Sequence, residues 1–142
     1  MSPMAKKRKR KITKQAAETP MSSCLVFCED VTISVKNQLH TLHGVITEMV
    51  RSVFPAQSGI GVLYIRLTNL YANQRFVVKF TSLETFEQLF VFGAESGPNS
   101  DPLGTQVIIL PIPSFELPNA GRYAFSAVHG DTTFAECVVV VS

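Results

Sequence analysis

Short apolar runs separated by turn-forming residues dominate the chain after Pro20. The runs are rich in Val, Ile, Phe, Thr and Tyr, and Gly, Pro, Asn and Asp divide them. In the run 61–69, for example, Leu63, Ile65 and Leu67 alternate with more polar neighbours. A period of two between turn residues is the pattern of β-strands with one buried face. It predicts strands over residues 24–35, 39–54, 61–69, 75–83, 86–92, 105–111, 122–129 and 133–141.

The segment 83–92 fits two structures. Leu83, Phe86 and Phe90 would form one stripe at helical spacing, and Ser82 suits the cap of a helix. The aromatic enrichment of the same segment favours a strand. Both alternatives stay open at this stage.

Two connections can be interpreted from their residue types. Gly130 and Asp131 separate the last two predicted strands, and such a pair tolerates the positive φ of a tight hairpin. Residues 93–104 have no apolar periodicity and contain two prolines, Pro98 and Pro102, so a loop is predicted. A loop of this length is either a plain surface insertion or a functional segment.

Charge divides the chain into two parts. Residues 1–20 hold 7 basic and 1 acidic side chains, and residues 21–142 hold 6 basic and 10 acidic ones. The first part contains none of the aromatic residues. Self-repulsion and chain entropy oppose packing there. We therefore expect a disordered basic arm over 1–20 and one domain over 21–142.

The arm is a candidate site for polyanions. Its cations would attract phosphate without reading sequence, although a solubilising tail and a nuclear import signal have the same composition. No exposed aromatic run accompanies them, so specificity for RNA or for a base sequence is not predicted. The candidate residues are Lys6, Lys7, Arg8, Lys9, Arg10, Lys11 and Lys14.

Neither a secretory leader nor a membrane helix is predicted. No apolar run follows the basic residues, and no later stretch reaches the roughly 18 apolar residues that a membrane helix needs. Cys24 and Cys28 would lie about 13 Å apart on an extended strand, too far for a disulfide. With Cys137 they are interpreted as buried thiols rather than a thiolate metal site. We expect a soluble, cytoplasmic protein.

A structural corner is predicted near the end of the chain by Pro118, Gly121 and Tyr123. In sandwich domains a tyrosine that begins the penultimate strand returns its hydroxyl to the backbone of the preceding corner. In antibody-type domains a cysteine follows two residues later, whereas this chain has Phe125. The predicted fold is therefore a single immunoglobulin-like, antiparallel, all-β sandwich of about 7–8 strands without the inter-sheet disulfide.

The chain also resembles a family of short, uncharacterised bacterial proteins that have a β-sandwich domain of unknown function. The resemblance covers about residues 24–141. It implies a fold but no catalytic or ligand residue. It rests on 28–31 (Cys-Glu-Asp-Val), Leu39, 42–45 (Leu-His-Gly-Val), 54–55 (Phe-Pro) and 118–123.

Candidate chemistry is sparse in the sequence. His40 and His43 are three residues apart, so on one strand they would face opposite sides and could not share a metal ion; His129 is expected in solvent. The side chains of adjacent Glu29 and Asp30 would also point to opposite faces of a strand, so they are not predicted to form an acid–base pair. No nucleophile elbow, phosphate loop or zinc-protease motif occurs. We expect no metal, no cofactor and no enzymatic activity.

Two continuous apolar runs favour self-association. Residues 89–92 and 138–141 are apolar at every position, so both faces of these strands need cover, which a second subunit could supply. The leading hypothesis is a non-enzymatic structural or binding module that self-associates and whose arm holds nucleic acid or another polyanion. The alternatives are a protein-binding domain that uses the 93–104 loop, and an unrecognised enzyme.

Overall fold

The computed structural model describes residues 20–69, 71–98 and 103–142. The seven cations of the predicted arm lie outside these residues. The described residues form eleven strands and no helix, which confirms the all-β prediction. Nothing in this part of the chain could cross a bilayer as a helix. The strands are β1 Met21–Ile33, β2 His40–Val45, β3 Glu48–Met49, β4 Ala56–Gln57, β5 Gly61–Thr68, β6 Arg75–Ser82, β7 Gln88–Glu95, β8 Thr105–Ile112, β9 Glu116–Leu117, β10 Gly121–His129 and β11 Thr132–Val141.

The strands form two large sheets and one small one. The first sheet has four strands in the order β2-β1-β5-β8, and the second has five in the order β3-β11-β10-β6-β7. Strands β4 and β9 form a two-stranded sheet. All pairs are antiparallel except β3 with β11, which are parallel.

One apolar core lies between the two large sheets. Leu63, Ile65 and Leu67 of the first sheet are fully buried, as their alternation predicts. Across the core, Phe27 of the first sheet meets Phe125 of the second with ring centroids 4.8 Å apart. The inward residues of both sheets belong to a single buried cluster, so the sheets stabilise each other by removing the same apolar surface from water.

The hairpin of β1 and β2 folds back over the outward face of the first sheet. His40 pairs with Ile33 of β1, whereas Tyr64 pairs with Val26. Seven residues of straight strand would separate those two positions of β1 by about 23 Å. His40 Nδ1 and the Tyr64 hydroxyl are nevertheless hydrogen-bonded at 2.6 Å, so β1 must bend.

The predicted corner is present in the structure. The Tyr123 hydroxyl donates to the carbonyl oxygen of Asn119 at 2.6 Å. Gly121 has φ +148°, a conformation that L side chains rarely adopt. The hairpin prediction is also confirmed, since Gly130 and Asp131 connect β10 to β11.

The open alternative over 83–92 is resolved in favour of a strand, and the helix is wrong. The Ser82 hydroxyl accepts the backbone N–H groups of Glu84 and Thr85, each at 3.2 Å. This cap starts only one turn, because Phe86 has φ +61° and β7 begins at Gln88.

The single strand predicted over 39–54 is wrong. Its residues form β2 in the first sheet and β3 in the second, because the chain crosses between sheets after Val45. Ile46 still donates to Phe27 at 2.8 Å, and then Thr47 accepts from Val140 at 3.0 Å. Periodicity indicates which positions are buried but not which sheet they join. The predicted strand number is also too low, because β3, β4 and β9 are two-residue strands.

The loop predicted over 93–104 is partly strand. Strand β7 continues through Glu95 because Ala94 pairs with Phe76 and packs on the core. Ser96 is then fixed to the turn before β6: its N–H donates to Gln74 O at 2.9 Å, and its hydroxyl accepts from Gln74 N at 2.7 Å.

Candidate functional site

The candidate site is an apolar groove between the edges of the two large sheets. In the described part of the chain, β8 ends the first sheet and β7 ends the second. The groove between them has a volume of about 430 Å³. We call it the edge groove; its lining includes Phe90, Phe92, Leu110, Pro111, Ile112 and Phe115.

Aromatic packing fixes the floor of the edge groove. The ring of Phe115 lies 4.7 Å from that of Phe80 and 4.9 Å from that of Phe90, both edge-on. The backbone of Phe115 is held by Ser58, whose N–H donates to Phe115 O at 2.8 Å and whose hydroxyl accepts from Phe115 N at 2.9 Å. The groove is therefore a preformed surface.

One end of the edge groove is acidic. An adjoining cavity of about 280 Å³ shares Phe90 and Phe115 with the groove and is bordered by Glu87 and Glu116. The two cavities share these two rings, so the apolar groove borders a cavity that carries carboxylates. An apolar groove beside a sheet edge suits an extended apolar segment of a partner.

A third cavity lies on the outward face of the second sheet. It has a volume of about 470 Å³ and is lined by Val77, Gly93 and Val128 among others. Its two charged residues, Arg75 and Glu95, are paired with each other at 3.4 Å and are largely exposed. Phe76 is the one aromatic residue among the described residues that line it, whereas three phenylalanines converge on the edge groove, so we take the edge groove as the candidate site.

The histidines do not meet. His43 Nε2 is hydrogen-bonded to the Thr32 hydroxyl at 2.8 Å, while His40 contacts Tyr64. His129, expected in solvent, is half-buried. Among residues 20–69, 71–98 and 103–142, no group of three or more His, Cys, Asp or Glu side chains could hold a metal ion.

All three cysteines are free thiols. The prediction of burial is right for Cys28 and wrong for Cys24 and Cys137, which are half-buried. Desolvation by burial raises the pKa of both Cys28 and Cys137 above the usual thiol value. A raised pKa keeps these two groups as neutral thiols near neutral pH, which lowers their reactivity as nucleophiles.

The sequence indicated only part of this site. The apolar run 89–92 indicates that both faces of its strand need cover, and Phe90 and Phe92 do line the edge groove. Phe115 was missed because it follows two prolines, in a segment without periodicity. The corner contains Pro118, Gly121 and Tyr123. Of these three, only Pro118 borders the adjoining acidic cavity.

Residues 23–142 match a family described as a family of unknown function, DUF6941. The chain belongs to this family. The match covers all but the first two residues of the domain predicted over 21–142, and it confirms the resemblance to a family without an assigned function. None of the curated proteins compared with the chain matches it.

Proposed function

We propose that this member of DUF6941 is a non-enzymatic binding module whose immunoglobulin-like domain self-associates, while its basic arm binds a polyanion such as nucleic acid. The observation that carries the proposal is the edge groove, where β7 and β8 end their sheets in the described part of the chain and flank an apolar cavity. Sheet edges and apolar channels are surfaces on which proteins add a strand from a partner.

Two features support the immunoglobulin-like assignment. The Tyr123 hydroxyl bonds the backbone four residues upstream, at Asn119, as the tyrosine corner of these sandwiches does. Phe27 and Phe125 also join the facing sheets through one apolar core. Phe125 occupies the position of the second cysteine of antibody domains, so apolar packing replaces the covalent link.

Exposed valines support self-association. Val91 is 43% exposed, Val138 is 44% exposed and Val140 is 38% exposed. They are the outward residues of the two apolar runs, whose inward residues are packed in the core. Apolar strands that face water are typical of surfaces that a second subunit covers.

Native mass tests self-association. We expect light scattering of the full chain to give the mass of a dimer or of a larger symmetric assembly, with dissociation on dilution. A mass of 15.6 kDa, that of one chain, at every concentration would contradict the proposal.

Salt dependence tests the arm. If all seven cations engage duplex DNA, a plot of log affinity against log salt should have a slope of about −6. A chain that lacks residues 1–20 should lose most of this slope. The matched control keeps the arm but carries glutamine at its seven basic positions, which separates charge from length. Equal slopes for the three proteins would contradict the proposal that the arm binds a polyanion.

A second candidate function is capture of a different protein through the segment 93–104. Leu103, in this segment, is 95% exposed, so its side chain is accessible to a partner. Ser96 and Gly97 bond the turn before β6 and therefore do not contribute to such a role. A monomeric native mass would favour this function over self-association.

A further inference from the structure

In the described residues strand β8 ends the first sheet, and its edge carries a proline, Pro111, but no charge and no bulge. No charged residue occurs between Leu103 and Phe115. The eight residues of β8 pair with β5 in one uninterrupted register, without a bulge. Edge strands are normally protected by charges, prolines or bulges. The part of β8 before Pro111 has none of these, so it is a template for another strand.

Pro111 determines which backbone groups of β8 point to the open edge. A proline is accepted within a ladder where its nitrogen faces away from the neighbouring strand, because it has no N–H to donate. Alternate residues of a strand point their backbone groups the same way, and the β5–β8 register is unbroken. Thr105, Val107 and Ile109 therefore direct their N–H and C=O groups away from β5.

We infer that a second copy of the chain adds its own β8 to this edge, antiparallel and about a two-fold axis at Val107. In this register Thr105 pairs with Ile109 of the second copy, and Val107 pairs with its own equivalent. These three pairs exchange about six backbone hydrogen bonds. A shift toward Pro111 would lose donors. The inference rests on the proposed self-association and specifies its contact.

Charge favours β8 over β7 as the contact. Antiparallel pairing of β7 with its own copy about Val91 would place Glu87 opposite Glu95, and like charges opposite each other are destabilising. The β8 pairing opposes no charges.

The same register brings an apolar side chain to the edge groove. Leu103 of the second copy lies in the turn two residues before its Thr105, so it comes near the Pro111 end of the edge, where Pro111 lines the groove. The exposed side chain of Leu103 would thus lie beside the edge groove of the other copy. A second copy of the chain supplies both an uncharged edge strand and an exposed leucine, and it is therefore the partner that fits this edge.

Cysteine crosslinking of the full chain tests the register. Two Val107 Cα atoms in a hydrogen-bonded pair lie about 5.5 Å apart, within disulfide range. Val107→Cys under a mild oxidant should therefore give a dimer that resists denaturation and that thiol reductant converts to monomer. Thr105→Cys is the matched control, because its two copies would lie about 13 Å apart. The unmodified chain controls for Cys24, Cys28 and Cys137.

A second variant tests the edge itself. Ile109→Pro removes an outward donor but no bond to β5, so the domain should fold while its native mass falls to that of a monomer. If Ile109→Pro does not fold, the cysteine pair alone decides the inference. Crosslinking of Thr105→Cys but not Val107→Cys, or a folded Ile109→Pro dimer, would overturn the β8 contact and leave self-association standing. A monomeric unmodified chain would overturn both.

Discussion

Replacing Phe125 with alanine is expected to lower the free energy of unfolding by about 3–5 kcal/mol, the range for deleting a buried aromatic ring. Phe125 is fully buried and joins the sheets: its ring lies 4.8 Å from that of Phe27 and 4.5 Å from that of Phe80. Loss of the ring leaves a cavity between two sheets that the backbone cannot close. The melting temperature should fall by about 10–20 °C, which calorimetry would measure.

Phe86 provides the matched control for this substitution. It is the same residue type but 78% exposed, so Phe86→Ala should change the free energy of unfolding by no more than about 0.5 kcal/mol. If Phe125→Ala costs no more than Phe86→Ala, the ring does not connect the sheets as described.

Gly61→Ala is expected to destabilise the domain by about 1–3 kcal/mol, the usual cost of overpacking a core. A Cβ added at Gly61 would lie 2.5 Å from Cε1 of Phe27 and 3.2 Å from the backbone oxygen of Cys28. The Phe27 ring cannot move aside easily, because it is 1% exposed and packs on Phe125. Urea denaturation would measure the loss as a lower midpoint with an unchanged m-value.

Gly93→Ala is the control for the glycine substitution. Gly93 also lies in a strand, but an added Cβ there would meet nothing within 4 Å. Its effect should be close to zero or slightly stabilising, because alanine reduces the entropy of the unfolded chain. Equal losses for the two variants would indicate a general effect of alanine rather than the contact with Phe27.

The sequence predicts strands well where one face of the strand is buried and the other is exposed to solvent. The runs 61–69 and 75–83 correspond to Gly61–Thr68 and Arg75–Ser82, each ending one residue earlier than expected. Alternation in these runs follows directly from burial of Leu63, Ile65 and Val78. The prediction of a single strand over 39–54 is wrong because the two halves of this run belong to different sheets. A periodic pattern contains no information about pairing partners.

The edge groove is harder to predict, because it depends on which strands end their sheets. Strands β7 and β8 follow each other in the chain but belong to different sheets, and their edges meet only through the topology. The apolar character of 89–92 indicated that cover was needed there. No local pattern indicated that Phe115, beyond the prolines, would contribute the floor.

Pro111 also limits how far β8 can act as a template. A cross-β stack grows because each new layer finds a donor and an acceptor at every rung. At Pro111 the outward-facing nitrogen has no proton to donate. An added strand therefore lacks one backbone hydrogen bond at that position, and regular pairing is interrupted there. A single proline thus leaves the edge able to accept a short strand while opposing fibril growth along it.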